Sequence, residues 1–429
     1  MNLATEQRIA LISVHGDPAI EIGKEEAGGQ NVYVRHVGEA LAELGWQVDM
    51  FTRKVNVKQK DIVQHSPKCR TIRLKAGNVD FVPRDNIFGH LPEFVDNFLK
   101  FQKDNGIIYP LIHTNYWLSS WVGMQLRHNL GSPSLVHTYH SLGAVKYNTV
   151  KTVPLIASTR LGVEKQILET AQRIVATSPQ EEEHMRTLVS TKGNIDIIPC
   201  GTDIERFGCV DRKTARSELN INPKTKLVLY VGRFDQRKGI ETLVRAVGQS
   251  KLLGTEDFKL IICGGSRPGH SDGKERDRIE KIVAELGITE MTEFPGRVSQ
   301  KDLPLYYGAA DVCVVPSHYE PFGLVAIEAM ASFTPVVASD VGGLQFTVMS
   351  EETGLLAPPQ DVSAFANAID RILLDAQWAE ELGQAARKRV ENKFSWDGVA
   401  MQLGELYKNL LEQPYLEQAS LEQPMVANS

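Results

Sequence analysis

Glu320 and Glu328 stand eight positions apart in Tyr-Glu-Pro-Phe-Gly-Leu-Val-Ala-Ile-Glu. If the chain between them is helical, they lie about 12 Å apart along its axis, at about 1.5 Å per residue. That is too far for one reacting bond. It suits two ends of a long ligand, such as the sugar and the ribose of a nucleotide sugar. Pro321 fits a first helical position, where its missing N–H costs nothing. A helix from Phe322 to Ala331 would then present its unpaired N–H groups and positive dipole end to a phosphate. Earlier in the chain, Gly232-Arg-Phe-Asp-Gln-Arg-Lys-Gly239 holds Arg233 and Lys238 between glycines. A guanidinium fork and an ammonium point charge suit phosphate oxygens, although the spacing is not G-x-x-x-x-G-K-[ST]. The plain alternatives are a surface glutamate ahead of a core helix and a basic loop solvated at a domain edge.

The elements that must position these residues read as alternating strands and helices. Arg8–Val14, Gln47–Thr52, Thr71–Leu74, Ile107–His113, Ser134–Tyr139 and Arg173–Ser178 read as strands of a first half. Asn31 is a candidate cap for a helix running to Leu44, with Gly45 ending it. Lys226–Val231, Phe258–Cys263, Thr292–Phe294, Val312–Val315, Pro335–Asp340 and an edge strand at Thr353–Leu356 repeat the pattern in a second half. Uninterrupted β-branched runs such as Val312–Val315 fit parallel strands covered on both faces. Ser266–Asp277, rich in charge and glycine, reads as a mobile loop. Alternation of this kind predicts a doubly wound α/β fold. Ligands of such sheets collect at the carboxyl ends of strands. Gly28-Gly29-Gln30, Tyr116 and His140-Ser141 all fall at such ends. Gly28 and Gly29 let a ligand approach the backbone, or form no more than a turn.

The chain has 429 residues, enough for two domains. Its net charge of −6 gives no nucleic-acid footprint. Five scattered cysteines show no metal or redox spacing, and are read as reduced core residues of a cytoplasmic protein. No apolar run approaches the roughly 20 residues of a membrane span. Domain boundaries are expected at 1–202, 203–394 and a returning helix at 395–412. The repeated Leu-Glu-Gln in 413–429 reads as a disordered tail.

Four motifs in order then carry a resemblance: Gly28-Gly-Gln30, His140-Ser-Leu-Gly-Ala-Val-Lys146, the Arg233…Lys238 pair and the Glu320…Glu328 pair. The chain resembles the retaining glycosyltransferases of family four, to about Leu411. The resemblance implies a GT-B architecture, two Rossmann-like domains facing across a cleft, and transfer of a hexose from a nucleotide sugar. It implies that Arg233 and Lys238 hold the diphosphate, with the amides of Phe322, Gly323 and Leu324. Glu320 would bind the hexose hydroxyls and Glu328 the ribose. The Arg297–Val298 backbone would contact the base, Gly29 would border the donor, and His140 would lie against the sugar. His140, Arg233, Lys238 and Glu320 would form the catalytic set, with no covalent carboxylate intermediate.

Within the family the likeness is greatest to the sucrose-phosphate synthase branch of bacteria and cyanobacteria. That branch joins UDP-glucose to fructose 6-phosphate. It implies an acceptor site of Gly28, Gln30, Arg84, Tyr116, Ser141, Lys146 and Arg160. Cations there make sense only for an anionic acceptor. Asn31-Val-Tyr-Val and Asn115-Tyr-Trp-Leu-Ser also look like the branch that glycosylates inositol phosphate; Gln30 favours the sucrose branch. A sucrose synthase-like acceptor, or a non-catalytic protein that binds nucleotide sugars, are the other readings. No D-x-D occurs, so no metal is expected to be required, and Mg2+ stimulation stays open. The expected partners are a nucleotide sugar and a sugar phosphate, with oligomeric state undetermined. A dinucleotide-dependent oxidoreductase would need a G-x-G-x-x-G that is not present where required.

Overall fold

A computed structural model describes residues 7–20, 28–148, 152–254 and 257–412. The tail at 413–429 and part of the polar stretch before Gly28 lie outside them. The first sheet contains β1 (Arg8–Ile12), β2 (Gln47–Arg53), β3 (Ile62–Ser66), β4 (Cys69–Leu74), β5 (Leu111–Asn115), β6 (Ser134–Thr138), β7 (Arg173–Ala176) and β8 (Ile195–Ile197). Their order is β3-β4-β2-β1-β5-β6-β7-β8. All neighbouring pairs are parallel except β3 with β4. The second sheet contains β9 (Lys226–Val231), β10 (Phe258–Cys263), β11 (Thr292–Gly296), β12 (Val312–Val315), β13 (Val336–Ser339) and β14 (Gly354–Ala357). Its order is β11-β10-β9-β12-β13-β14, wholly parallel.

Both sheets reverse their strand order beside their first strand, at β1/β5 and at β9/β12. These are the points at which an open parallel sheet leaves a crevice for a ligand. The strands of the first sheet also end level. Ile12 is paired with Thr114, and Asn115 with Thr138. Ser13, Tyr116 and Tyr139 therefore leave the sheet side by side.

The structure differs from expectation at several points, among them Cys209, read as a core residue and found exposed. Strand β3 was not foreseen, because its exposed, polar Ile-Val-Gln-His-Ser run has no covered face to pattern it. Strand β5 starts at Leu111, not Ile107. Pro110 precedes it, has no N–H to give the ladder, and offers only its carbonyl, to Ser134 N. The charged stretch read as a loop becomes helix Ser271–Glu285. Its charges pair along the helix, Arg276 with Glu280 and Arg278 with Glu275. Asn31 is not a cap: helix Gly29–Glu43 begins after Gly28, and Asn31 Oδ1 accepts from Gly28 N at 3.1 Å. Helix Leu324–Ala331 starts two residues later than read, because Gly323 has φ +95°.

The last described helix, Trp396–Glu412, returns to the first sheet and packs on Gly29–Glu43. Trp396 stacks on His36 at 5.2 Å, and Tyr407 meets Trp46 edge-on at 5.6 Å. Tyr407 Oη lies 2.5 Å from His113 Nδ1, while His113 Nε2 is 2.8 Å from Thr138 Oγ1. Burial drives His113 down to about 3, so both ring nitrogens work as neutral hydrogen-bonding groups. Tyr407→Phe leaves a buried imidazole nitrogen without its partner. It is expected to cost about 1–3 kcal/mol, read as a lower urea midpoint at unchanged slope. An unaltered midpoint would show that the pair contributes nothing.

Candidate active site

One wall of the cleft is built from the loops after β9 and β12. Asp235 caps the short turn Gln236–Lys238 by accepting from Arg237 N at 3.0 Å. Gly239 then takes φ +67°, and a Cβ there would lie 1.9 Å from Pro316 O. Only glycine allows that approach, which brings Lys238 against the loop after β12. Lys238 Nζ ion-pairs with Glu320, and Ser317 Oγ donates to the same carboxylate oxygen at 3.3 Å. Glu320 is held from behind: its carbonyl accepts from Gly343 N at 3.0 Å. A Cβ at Gly342 would lie 2.4 Å from Glu320 O, and one at Gly343 would lie 2.1 Å from Pro321 O. Sequence reasoning noted these two glycines only as the end of a strand; their adjacency was the available signal.

The first intrahelical bond after this loop is Ala326 N to Gly323 O, 3.0 Å. The amides of Gly323 and Leu324 thus precede the bonded ladder, as an anion site at a helix N-terminus requires; Phe322 lies just before them and is buried. Arg233 is exposed and makes no ion pair or side-chain hydrogen bond among the described residues. Arg297 is exposed and Val298 half-buried, beside Gly265. Glu328 is buried, not a first exposed turn, and the 12 Å figure lapses because the helix starts only at Leu324. Tyr307 Oη donates to Glu328 Oε2 at 2.7 Å, yet burial pushes the carboxyl up to about 7.

The facing wall comes from the level strand ends of the first sheet. Gln30 Nε2 donates to Ser13 Oγ at 2.9 Å and Asn115 O at 3.3 Å. Tyr116 and His140 follow β5 and β6 with φ +75° and +58°. Positive φ in non-glycine residues is strained, and such positions gather where a side chain must be aimed. His140 Nε2 lies 2.8 Å from Asn115 Oδ1, and its ring meets Tyr33 edge-on at 4.7 Å. Burial lowers it to about 3, so the imidazole is neutral.

Arg160 is buried. It binds Glu164 at 2.7 Å, Tyr116 Oη at 3.1 Å and Ser141 O at 2.6 Å, and its guanidinium lies 5.0 Å from the Tyr116 ring. Arg84 approaches the same ring at 5.7 Å, and its Nε is buried without a hydrogen-bond partner among the described residues. Lys146 is pushed down to about 8 by burial first, then by Arg84, Arg160 and Arg237. Arg84, Tyr116, Ser141, Lys146 and Arg160 thus form one cluster, with Gly28 and Gln30 at the neighbouring strand end.

Sequence reasoning missed His15 and Tyr319. His15 lies 4.5 Å from the Tyr116 ring, and its Nδ1 is buried without a hydrogen-bond partner among the described residues. Burial, then Arg84 and His140, hold it far below its ordinary value. Its place just past β1, level with Tyr116 and His140, was the signal. Tyr319 Oη accepts from Leu142 N at 3.3 Å, across the cleft. Gly29 also spans it: a Cβ there would lie 3.0 Å from Leu324 Cδ1. The walls therefore touch where the glycine of one meets the helix end of the other. Such a site can hold a diphosphate on one side and an anionic acceptor on the other.

Comparison with known proteins agrees with this geometry. Residues 27–206 match the model "Glycosyltransferase Family 4", and residues 211–389 match "Glycosyl transferases group 1". A D-inositol 3-phosphate glycosyltransferase of Corynebacterium jeikeium is 36% identical over 94% of this chain and 97% of its own. The sucrose-phosphate synthase of Thermosynechococcus elongatus is 54% identical over 94% of this chain and 99% of its own, with a TM-score of 0.86. Anabaena HepE, solved with UDP and glucose, shares the fold at TM-score 0.74 and 19% identity, over 94% of this chain and all of its own. Two parallel-sheet domains facing across such a cleft define a GT-B glycosyltransferase. The chain belongs to glycosyltransferase family 4. No described helix is long and apolar enough to cross a membrane.

Burial favours the protonated form of Glu328, so its folded pKa is raised above the ordinary 4.5 to about 7. Native stability from this group is then complete below about pH 4.5 and is lost as pH rises towards about 7. Glu328→Gln removes the titration. Between pH 4.5 and 8 the ligand-free wild type should lose about 3 kcal/mol relative to the variant in urea unfolding. A pH-independent difference would contradict the assignment.

Proposed function

We propose that the protein transfers glucose, with retention, from UDP-glucose to fructose 6-phosphate, forming sucrose 6-phosphate. The observation that carries this reading is the cationic cluster around Tyr116, with Arg84 Nε buried and without a hydrogen-bond partner among the described residues. Buried donors of this kind call for an anion. A phosphate on the acceptor supplies one, and a neutral sugar does not. The 54% identity to a sucrose-phosphate synthase over nearly the whole of both chains supports fructose 6-phosphate. The inositol phosphate reading is favoured by relatives at 36% identity and needs the same cations.

In this reading the bond from the sugar C1 to the donor phosphate oxygen breaks. A bond from C1 to the acceptor hydroxyl oxygen forms on the same face. The hydroxyl proton passes to the departing phosphate oxygen. Arg233, Lys238 and the amides at Gly323 and Leu324 offset the charge that develops there, which is where electrostatic catalysis acts. Lys238 starts paired to Glu320, so the donor enters by exchange: diphosphate takes the ammonium, and sugar hydroxyls donate to the freed carboxylate. Neutral His140 orients the sugar and carries no charge into the site. Closure of two walls brings the reactants together and excludes water. Two side-chain cations and a helix end do the work that a metal does elsewhere, so no metal is required.

UDP-, ADP- and GDP-glucose offered with fructose 6-phosphate, fructose and inositol phosphate, with the products weighed, test the reading. UDP-glucose with fructose 6-phosphate should give the principal product, and EDTA should leave the rate unchanged. A principal product from inositol phosphate or free fructose would refute it. Lys146→Ala is expected to raise the acceptor KM about 10- to 100-fold, the usual loss for a hydrogen bond to a charged group. The donor KM should move far less; equal effects on both substrates would refute its place at the acceptor.

A further inference from the structure

We propose that Arg237, carried by the donor wall, completes the acceptor's phosphate site from the opposite side of the cleft and makes closure depend on that phosphate. The inference rests on a phosphorylated acceptor. Arg237 sits beside Lys238 in the turn Gln236–Lys238. Its carbonyl accepts from His318 N at 2.8 Å, which ties the turn to the loop that carries Tyr319 and Glu320. That loop touches the first lobe, where Tyr319 Oη meets Leu142 N. Asp235 grips the guanidinium through Nε, at 3.1 Å, and through Nη2. Nη1 is left with no partner among the described residues, so the fork is oriented and still has N–H groups to give.

Arg84, Lys146 and Arg160 lie opposite. Arg84 and Arg160 flank the Tyr116 ring at 5.7 and 5.0 Å. The field of Arg237 reaches this group: it adds to Arg84 and Arg160 in depressing the basicity of Lys146, and Asp85 opposes them. Cations from both walls therefore face one another when the cleft is closed and empty. Like charges brought together cost free energy, and a phosphate dianion between them reverses the sign. An acceptor phosphate thus favours the closed state in proportion to its better binding there, which is the condition for a ligand to shift a conformational equilibrium. Closure also brings Arg237, together with the donor held beside its neighbour Lys238, to the acceptor in a single movement, because the two residues are adjacent in the chain. A free sugar would miss both the contact and the closure.

The test measures Arg237→Gln and Arg237→Lys in the full-length protein, with whichever phosphorylated acceptor the wild type turns over and with its unphosphorylated counterpart. For Arg237→Gln the KM of the phosphorylated acceptor should rise about 10- to 100-fold, with the donor KM within about twofold. Its preference for the phosphorylated over the free sugar should fall by the same factor, and Arg237→Lys should restore part of it. UDP affinity, measured by calorimetry, should be unchanged, which separates a lost contact from a damaged lobe. An unchanged acceptor KM, or equal losses for acceptor, donor and UDP, overturns the inference and leaves the phosphorylated-acceptor reading standing. A wild type that uses free sugar as well as the phosphate overturns both.

Discussion

A cleft that binds anions on both walls must hold its cations ready without letting them repel one another or collapse onto the wrong partner. Here three of the cations are each matched to a carboxylate of their own wall. Lys238 is held by Glu320, Arg237 by Asp235 and Arg160 by Glu164. The matches differ in burial, and so in what they do. Arg160 and Glu164 are both almost wholly buried, and breaking such a pair leaves an uncompensated charge, at about 3–5 kcal/mol. The Glu164 carboxylate also accepts from Gly143 N at 2.8 and 3.1 Å. This pair is therefore a fixture that sets the His140–Lys146 segment in place. Lys238 with Glu320 is partly open to solvent. A half-buried pair costs less to open than a fully buried one, so a diphosphate can exchange into it.

The donor wall depends on close backbone approach as much as on charge. Gly239 lies against Pro316, and Gly342 and Gly343 lie against Glu320 and Pro321. These contacts fix the Pro316–Phe322 loop from two sides. They place a carboxylate, an ammonium and a helix start together without any long side chain having to search for its position. A methyl group at any of the three positions would push the loop off its place. Arrangements made this way are preorganised, and preorganisation is what lets dipoles and charges stabilise a transition state without moving during the reaction.

Much of this was legible in the sequence. The alternation of buried strands with helices marked two α/β halves, and Arg233, Lys238, Glu320, Tyr116 and His140 stood out because strand ends are where ligands gather. What stayed hidden has physical causes. Strand β3 is exposed and polar, so no buried face imposes a period on it. The charged stretch before Asp277 looks like a loop until its charges are seen to pair at helical spacing. Glu328 appears exposed in a one-dimensional reading, because only the fold shows Tyr307 covering it. The roles of Gly342 and Tyr319 depend on residues far away in the chain, and no local pattern records a contact across a cleft. His15 is a single histidine past a strand, and no spacing in the sequence marks it.

The two histidines at the strand ends bring out a last consequence of this burial. An imidazole near its ordinary pKa would add a positive charge that comes and goes with pH. His15 and His140 are both held neutral, each chiefly by loss of solvation. The backbone strain at Tyr116 and His140 serves the same end. It sets where each ring packs: Tyr116 beneath two guanidinium groups, His140 against Tyr33 and Asn115. Strain of this kind costs about 1–3 kcal/mol per residue, and the surrounding contacts over-determine both positions. The site thus spends stability on geometry, and its two histidines add no charge at neutral pH. In the proposed reading, charge selection then falls to arginine and lysine, and the neutral rings set how the ligands lie.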